Sequence, residues 1–342
     1  MTPQSPASPP IQKAGATAAE AAAEIPKRNA ASRVLLHFRK FGAFYIMMAP
    51  TIVFLIVNNY IPMIGSLIAF KNIKFAYGET LVQSFLRSEW VGIKNFEFLF
   101  RTTDSWIITR NTLLYNAVFI FLNTVIGIAF AIMFNAMRNR LLAKFHQTMM
   151  FLPFFLSMVI VSYLVYAFLQ PELGLLNRVI LPFFGIDNTT DWYSDPTWWP
   201  VILPIINTWK NIGYYAVIYL AAIIGIDKEY YEAAMIDGAS RWRQIRVITI
   251  PLIRPVIIVM VMLQIGRIFY SDFGLFFQVT RNSGALYETT LVIDTYVYQS
   301  FIGAGDIGMS SAAGLYQAAV GFVLVLLANW VIRRISRNDA LF

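Results

Sequence analysis

The sequence predicts an all-α integral membrane protein with six transmembrane helices and both termini in the cytoplasm. Three observations lead there: scarcity of charge, long uncharged runs, and the side on which the basic residues fall. Of 342 residues, 58% are hydrophobic and 13% charged, about half the ~25% charge of an ordinary soluble domain. Mean hydropathy is +0.58. A soluble surface cannot hide that much apolar area, so a soluble enzyme is excluded.

Uncharged runs cover Phe41–Phe70 (30 residues), Asn111–Met137 (27), Gln147–Pro171 (25) and Ile307–Ile332 (26). Each exceeds the roughly 20 residues needed to cross a ~30 Å hydrocarbon core. Two more candidate spans are interrupted: Pro196–Ile226 holds only Lys210, and Pro255–Thr280 holds only Arg267 and Asp272. The first helix is expected over Phe41–Ile61, kinked at Pro50. Residues 1–38 read as a disordered cytoplasmic tail ahead of a membrane domain over 39–342, with a short helix through Ala18–Ile25. A cleavable signal would carry its apolar segment much closer to the basic start.

Lys and Arg cluster before the first span and after the second, fourth and sixth, where 17 of the 27 fall. The alternate connections hold 12 of the 19 acids if Asp272 is counted with them. The positive-inside rule then places both termini in the cytoplasm. Two outer segments, about 71–110 and 172–199, mix charge with aromatics. The first reads as folded interfacial structure, and Trp192, Trp198 and Trp199 in the second read as belt residues. A third outer segment runs over about 281–306.

There is no cysteine, and His37 and His146 are the two histidines. Thiolate, zinc and haem chemistry therefore lack ligands, and no metal site is expected. The net charge of +8 is accounted for by the cytoplasmic loops, not by nucleic acid.

The connection between spans four and five differs from the others. Ala, Glu and Met favour helix before Gly238, which supplies a φ > 0 residue to end it. Trp242 and Ile245 then give a second short helix an apolar stripe, and Pro251 and Pro255 delimit its exit into span five. This bent pair is covered by a protein partner or lies on the inner lipid surface.

Glu232–Ala233–Ala234, three residues, Gly238, nine residues, then Ile248–Thr249–Ile250–Pro251 resembles the EAA loop of ABC importer permeases. Ile250 stands where that family has Leu. The likeness covers nearly the whole chain after residue 40. Pro62–Met63–Ile64–Gly65, Ala69–Phe70–Lys71, Trp90–Val91–Gly92–Ile93–Lys94–Asn95–Phe96, Arg110–Asn111–Thr112–Leu113, Leu152–Pro153–Phe154–Phe155–Leu156–Ser157 and Val292–Ile293–Asp294–Thr295–Tyr296–Val297–Tyr298 are similar to carbohydrate permeases that import complex oligosaccharides. Gln299 follows, where that subfamily often has a basic residue.

The resemblance implies a type I ABC importer permease fold in a bacterial cytoplasmic (inner) membrane. It implies as partners a second permease subunit, a sister chain, with two ATPase subunits beneath and an extracytoplasmic solute-binding protein that delivers saccharide. ATP and Mg²⁺ would be bound by the partner ATPases, and this chain would bind no cofactor. Segment 227–251 would couple to the ATPase through Tyr231, Glu232, Ala233, Ala234, Asp237, Gly238, Arg241 and Pro251. ATP-driven closure beneath would rock spans four and five.

Charges inside spans usually face a cavity or the bundle interior. Arg267, thirteen residues from Pro255 and past mid-depth, reads as a donor to sugar or as an internal salt-bridge partner. Asp272 lies nearer the outer end, and Lys210 is placed to snorkel outward. Trp209, Tyr214, Phe269 and Tyr270 lie near the depth where rings stack on sugar faces, or else pack.

Three other motifs carry no chemistry here. Gly303–Ala304–Gly305–Asp306–Ile307–Gly308 spells a dinucleotide fingerprint but lacks the strand and βαβ context. No G-x-x-x-x-G-K-[ST] occurs, so this chain does not cradle ATP phosphates. Asn188–Thr189–Thr190 matches a glycosylation acceptor by chance. A membrane-embedded enzyme acting on lipid or polysaccharide would need clustered acids or histidines, and a secondary transporter would not need the cytoplasmic bent pair.

Overall fold

In the computed structural model, residues 30–73, 78, 80–97, 103–186 and 190–335 are described. The helix expected over Ala18–Ile25 lies outside them. Two compact units divide at Ile64 and Gly65.

The first unit is helical from Ala30. Helix α1 spans Ala30–Leu55 with Pro50 inside it, followed by a π-helical turn at Ile56–Tyr60 and a last turn at Ile61–Ile64. It begins within the stretch expected to be tail. Asn58 Nδ2 donates to Phe54 O at 3.0 Å, so this polar group meets its own helix and not hydrocarbon.

The second unit opens on a 3₁₀ segment, Gly65–Phe70, and a short antiparallel pair, β1 (Lys71–Asn72) against β2 (Glu89–Trp90), with Lys71 opposite Trp90. Helix α2 (Leu81–Arg87) lies between them, opened by a capping box from Thr80 and Gln83. Lys71, 5% exposed, donates Nζ to Phe85 O at 2.7 Å and lies 4.3 Å from the Phe85 ring centroid. Asn95 Nδ2 donates to Ala69 O at 3.0 Å and Lys71 O at 2.9 Å. The described part of this segment is folded structure, as its aromatic content predicts.

Helix α3 (Thr103–Ala136) is the longest, and α4 (Arg140–Phe151) follows with Asn139 as its N-cap. A 3₁₀ turn at Leu152–Phe155 and extended Leu156 and Ser157 lead into α5 (Met158–Leu169). The third expected span is therefore broken, bent by 100°. Pro153 and the Ser157 N-cap, whose Oγ accepts from Ile160 N–H at 3.4 Å, are the local cause.

Trp192 and Trp199 are buried, with indole N–H groups donating to Asn177 Oδ1 at 2.8 Å and Trp192 O at 2.6 Å. They belong to the core and not to an interface belt; Trp198 is half exposed. Helix α6 (Trp199–Ile224) packs along α3 as the most extensive helix pair. Gly127 permits the approach, since a Cβ there would lie 2.9 Å from Tyr215 Cβ.

Helix α7 (Lys228–Ile236) turns off α6 at 70°. Helix α8 (Arg241–Gln244) then runs through a π-helical turn, Ile245–Thr249, into α9 (Ile250–Ile265). Pro251 and Pro255 thus sit inside one continuous helical run, not at a boundary. The π turn bonds Ile250 N–H to Ile245 O, and Pro251 falls next, where a missing N–H is tolerated. Span five consequently begins at Arg241 and its helix ends at Ile265. Arg267 and Asp272 lie in the non-helical stretch beyond it, not within a helix.

A π turn at Gly274–Val279, helix α10 (Ile293–Ala304) and helix α11 (Ile307–Ile335) follow, the last reaching the end of the described residues. Among the described residues, four helices are long and apolar enough to cross a membrane, or up to six when each bent pair counts as one span.

Candidate functional site

Two faces of the α3–α6 pair create a cavity of about 550 Å³. On α3, Asn116, Phe119, Ile120 and Asn123 recur at three- and four-residue steps, which puts them on one stripe. Asn207, Asn211 and Tyr214 do the same on α6. Gln264 near the end of α9, with Arg267 and Tyr270 in the break that follows, closes the third side.

The break is held by α3. Asn116 Nδ2 donates to Ile268 O at 2.9 Å and Tyr270 O at 3.3 Å, satisfying carbonyls of the non-helical stretch beyond α9. Farther along, Asn123 Nδ2 donates to Asn207 Oδ1 at 3.2 Å, and Asn211 Nδ2 to Asn207 O at 2.9 Å. Asn123 is 3% exposed, yet its Oδ1 has no hydrogen-bond partner among the described residues. Phe154 and Tyr214 stack at 4.9 Å and 8° on another wall.

This amide stripe went unread in the sequence. Its signal is there: Asn116 and Asn123 seven residues apart, and Asn207 and Asn211 four apart, inside otherwise apolar spans.

Of the residues predicted to face the pathway, Tyr214, Arg267 and Tyr270 line the cavity. Trp209 is 43% exposed and stands outside the lining. Phe269 is 2% exposed and packs edge-on against Tyr316 at 5.8 Å, so it is a core residue, not a stacking platform. Asp272 Oδ1 accepts from Leu275 N–H at 3.1 Å, capping the π turn. Lys210 does not snorkel. Its Nζ donates to the Leu156, Phe154 and Pro153 carbonyls at 2.6, 3.0 and 3.4 Å; Pro153 O also accepts from Leu156 N–H at 3.1 Å, so Lys210 chiefly serves the Leu156 and Phe154 oxygens at the bend.

The second candidate region is the bent pair. Asp227 caps α7, its Oδ1 accepting from Glu229 N–H at 3.1 Å. Gly238 takes φ +73°, and Ala239 N–H returns to Ala234 O at 2.8 Å, which ends the helix. Ser240 caps α8. Tyr231 Oη lies 3.0 Å from Thr249 Oγ1, tying α7 to the foot of α9.

Glu232, Ala233, Asp237, Gly238, Arg241 and Pro251 are exposed, while Tyr231 and Ala234 are partly covered. Ile236 at 87% and Trp242 at 70% exposure leave large apolar groups uncovered at this turn. Tyr231 and Arg241 also line a concavity of about 330 Å³ that reaches the C-terminal end of α3.

Residues 123–337 match the family described as binding-protein-dependent transport system inner membrane component. The polygalacturonan/rhamnogalacturonan transport system permease protein YteP of Bacillus subtilis (strain 168) is 34% identical over 96% of this chain and 99% of its own. Among solved structures, a chain of a bacterial ABC transporter involved in the import of the acidic polysaccharide alginate superposes with TM-score 0.79. It has 32% identity and covers 89% of this chain and 99% of its own. A chain of the alginate transporter in complex with alginate pentasaccharide-bound periplasmic protein matches equally, at TM-score 0.79 and 32% identity, over 89% of this chain and 98% of its own. The bent pair, the broken spans and these likenesses converge: the chain belongs to the binding-protein-dependent transport system inner membrane components, as a permease subunit.

Proposed function

We propose that this permease forms half of the translocation pathway of an ATP-driven importer of oligosaccharides or polysaccharide fragments. The observation that carries the reading is the amide-and-aromatic cavity between α3, α6 and α9. Asn side chains supply neutral donors and acceptors for hydroxyls, and rings such as Tyr214 and Tyr270 supply apolar surface for a sugar face. The names of YteP and of the alginate transporter support a saccharide.

In this reading the second half of the pathway is a sister permease, and a solute-binding protein loads the complex from outside a bacterial cytoplasmic membrane. Both termini then lie in the cytoplasm. Of two ATPase subunits, which carry ATP and Mg²⁺, one docks on the exposed turn around Gly238 and the other on the sister permease. The rigid tie from Tyr231 to Thr249 lets movement of α7 travel into α9 and its break, and so to the cavity wall.

The test is co-purification of the ATPase subunits with the full complex, followed by saccharide uptake in proteoliposomes. Loss of the ATPase on altering 229–246 supports the docking. An ATPase that stays bound with every exposed residue of that segment replaced, or a complex that moves no saccharide, refutes the reading.

A further inference from the structure

We propose that Gln317, on α11 and outside the cavity, positions the wall past which saccharide moves by fixing how the backbone beyond α9 is turned. The inference deepens the transport reading above and rests on it.

Residues 266–272 form no helix, yet three consecutive carbonyls among them are answered from other helices. Ile268 O and Tyr270 O accept from Asn116 on α3. Phe269 O, between them, accepts from Gln317 Nε2 on α11 at 2.8 Å. The next N–H, that of Ser271, donates to Asp294 on α10. Three helices thus clamp one short piece of backbone.

The side chains of the stretch divide in the same way. Phe269 is buried and packs edge-on against Tyr316, the neighbour of Gln317, whereas Arg267 and Tyr270 line the cavity. Turning this backbone about its own axis would draw Phe269 out of the core and carry Arg267 and Tyr270 off the wall. The hydrogen bond to Phe269 O opposes that turn.

Gln317 is 4% exposed and absent from the cavity lining, while Asn116 is part of it. A buried amide in a mainly apolar helix costs free energy unless it is hydrogen-bonded. Here its donor leaves its own helix for the Phe269 carbonyl. Since Gln317 does not line the cavity, its effect on passage acts through the wall.

The chain contains no cysteine, so Phe269→Cys gives it a single thiol. In the assembled transporter, alkylation of this chain by a water-soluble maleimide reads how often position 269 turns out of the core. Adding Gln317→Met is expected to speed that labelling about 2- to 10-fold, the equilibrium weight of one amide hydrogen bond. Ala216→Cys, buried on α6, should label at one rate with or without Gln317→Met. In proteoliposomes, with trisaccharides of galacturonate and of glucose as probes, Gln317→Met alone should lower the saccharide moved per ATP hydrolysed. ATPase stimulation by the loaded binding protein should stay at the wild-type level.

Unchanged labelling of Phe269→Cys overturns the proposal and leaves the saccharide reading standing. Equal acceleration at Ala216→Cys assigns Gln317 a general stabilising role and also overturns it, as does a wild-type yield of saccharide per ATP. If Gln317→Met does not assemble, Gln317→Asn, whose amide falls one methylene short of Phe269 O, is judged by the same outcomes. A wild-type complex that moves neither probe nor any other saccharide brings down both readings.

Discussion

Lys210 Nζ lies 2.6 Å from the carbonyl oxygen of Leu156, joining the middle of α6 to the bend of the broken third span. A helix that breaks at membrane depth leaves carbonyls that water cannot reach. Lys210 answers two of them, Leu156 and Phe154, with one ammonium group and keeps its charge out of hydrocarbon by the same contacts.

Lys210→Met should therefore destabilise the purified complex by on the order of 1–3 kcal/mol, the cost of stranding buried acceptors. Thermal denaturation in detergent reads this directly. An unchanged melting temperature would show that the bend needs no cation.

Gly213, one turn from Lys210, rests against the same region. A Cβ there would lie 2.1 Å from the Met150 carbonyl oxygen and 2.7 Å from Phe151 Cα. Backbone cannot yield as a side chain does, so Gly213→Ala is expected to cost at least about 1–3 kcal/mol and to lower the yield of folded complex. Gly225→Ala is the control: its nearest contact would be 3.4 Å, and equal losses in the two variants would contradict the packing argument.

At the exposed turn, Gly238→Asp and Glu232→Lys should abolish ATP-driven uptake while membrane insertion stays intact. A Cβ at Gly238 meets nothing within 4 Å, so crowding inside this chain would not explain the loss. The φ of +73° adds a local strain of about 1 kcal/mol, too little to unfold the protein. Uptake and ATPase co-purification measured together separate docking from folding, and normal uptake by both variants would count against docking here.

Asp294, at the start of α10, accepts from Ser271 N–H at 2.6 Å. Burial raises its carboxyl above the ordinary value, and the Ser271 hydrogen bond opposes this only in part. The folded form thus favours the neutral acid. Its contribution to stability is present below the ordinary carboxylate pKa and is lost as pH rises through the raised folded value. Asp294→Asn keeps an acceptor and removes the charge, so its melting temperature should gain on wild type across that window. Asp294→Ala strands the Ser271 N–H and should cost about 1–3 kcal/mol at every pH. A flat difference between wild type and Asp294→Asn from acid to neutral pH would refute this.

Much of the fold was legible because the bilayer imposes length and polarity on each span. The run at Asn111–Met137 falls inside α3 but for its last residue, and Ile307–Ile332 falls inside α11. Gly238 was legible as a helix end because its φ > 0 role is local. The cavity was harder to read. Tyr214, Arg267 and Tyr270 were candidates on charge, chemistry and depth, but Asn116, Asn123 and Asn207 carry no charge and lower the hydropathy of their spans only slightly. Phe269 and Tyr270 are adjacent and alike in composition, yet one is core and the other lines the cavity, a choice made by how α11 packs.

What the sequence determined by itself, then, was each segment that had to enter the membrane and the turn that had to leave it. These follow from transfer free energy and backbone preference, both properties of residues near one another in the chain. Only the tertiary structure decided where spans three and five break and which side chains meet the breaks. A break is tolerated when distant groups satisfy the carbonyls it exposes, as Lys210 does at Leu156 and Asn116 at Ile268. Those partners come from other helices, out of reach of any local pattern.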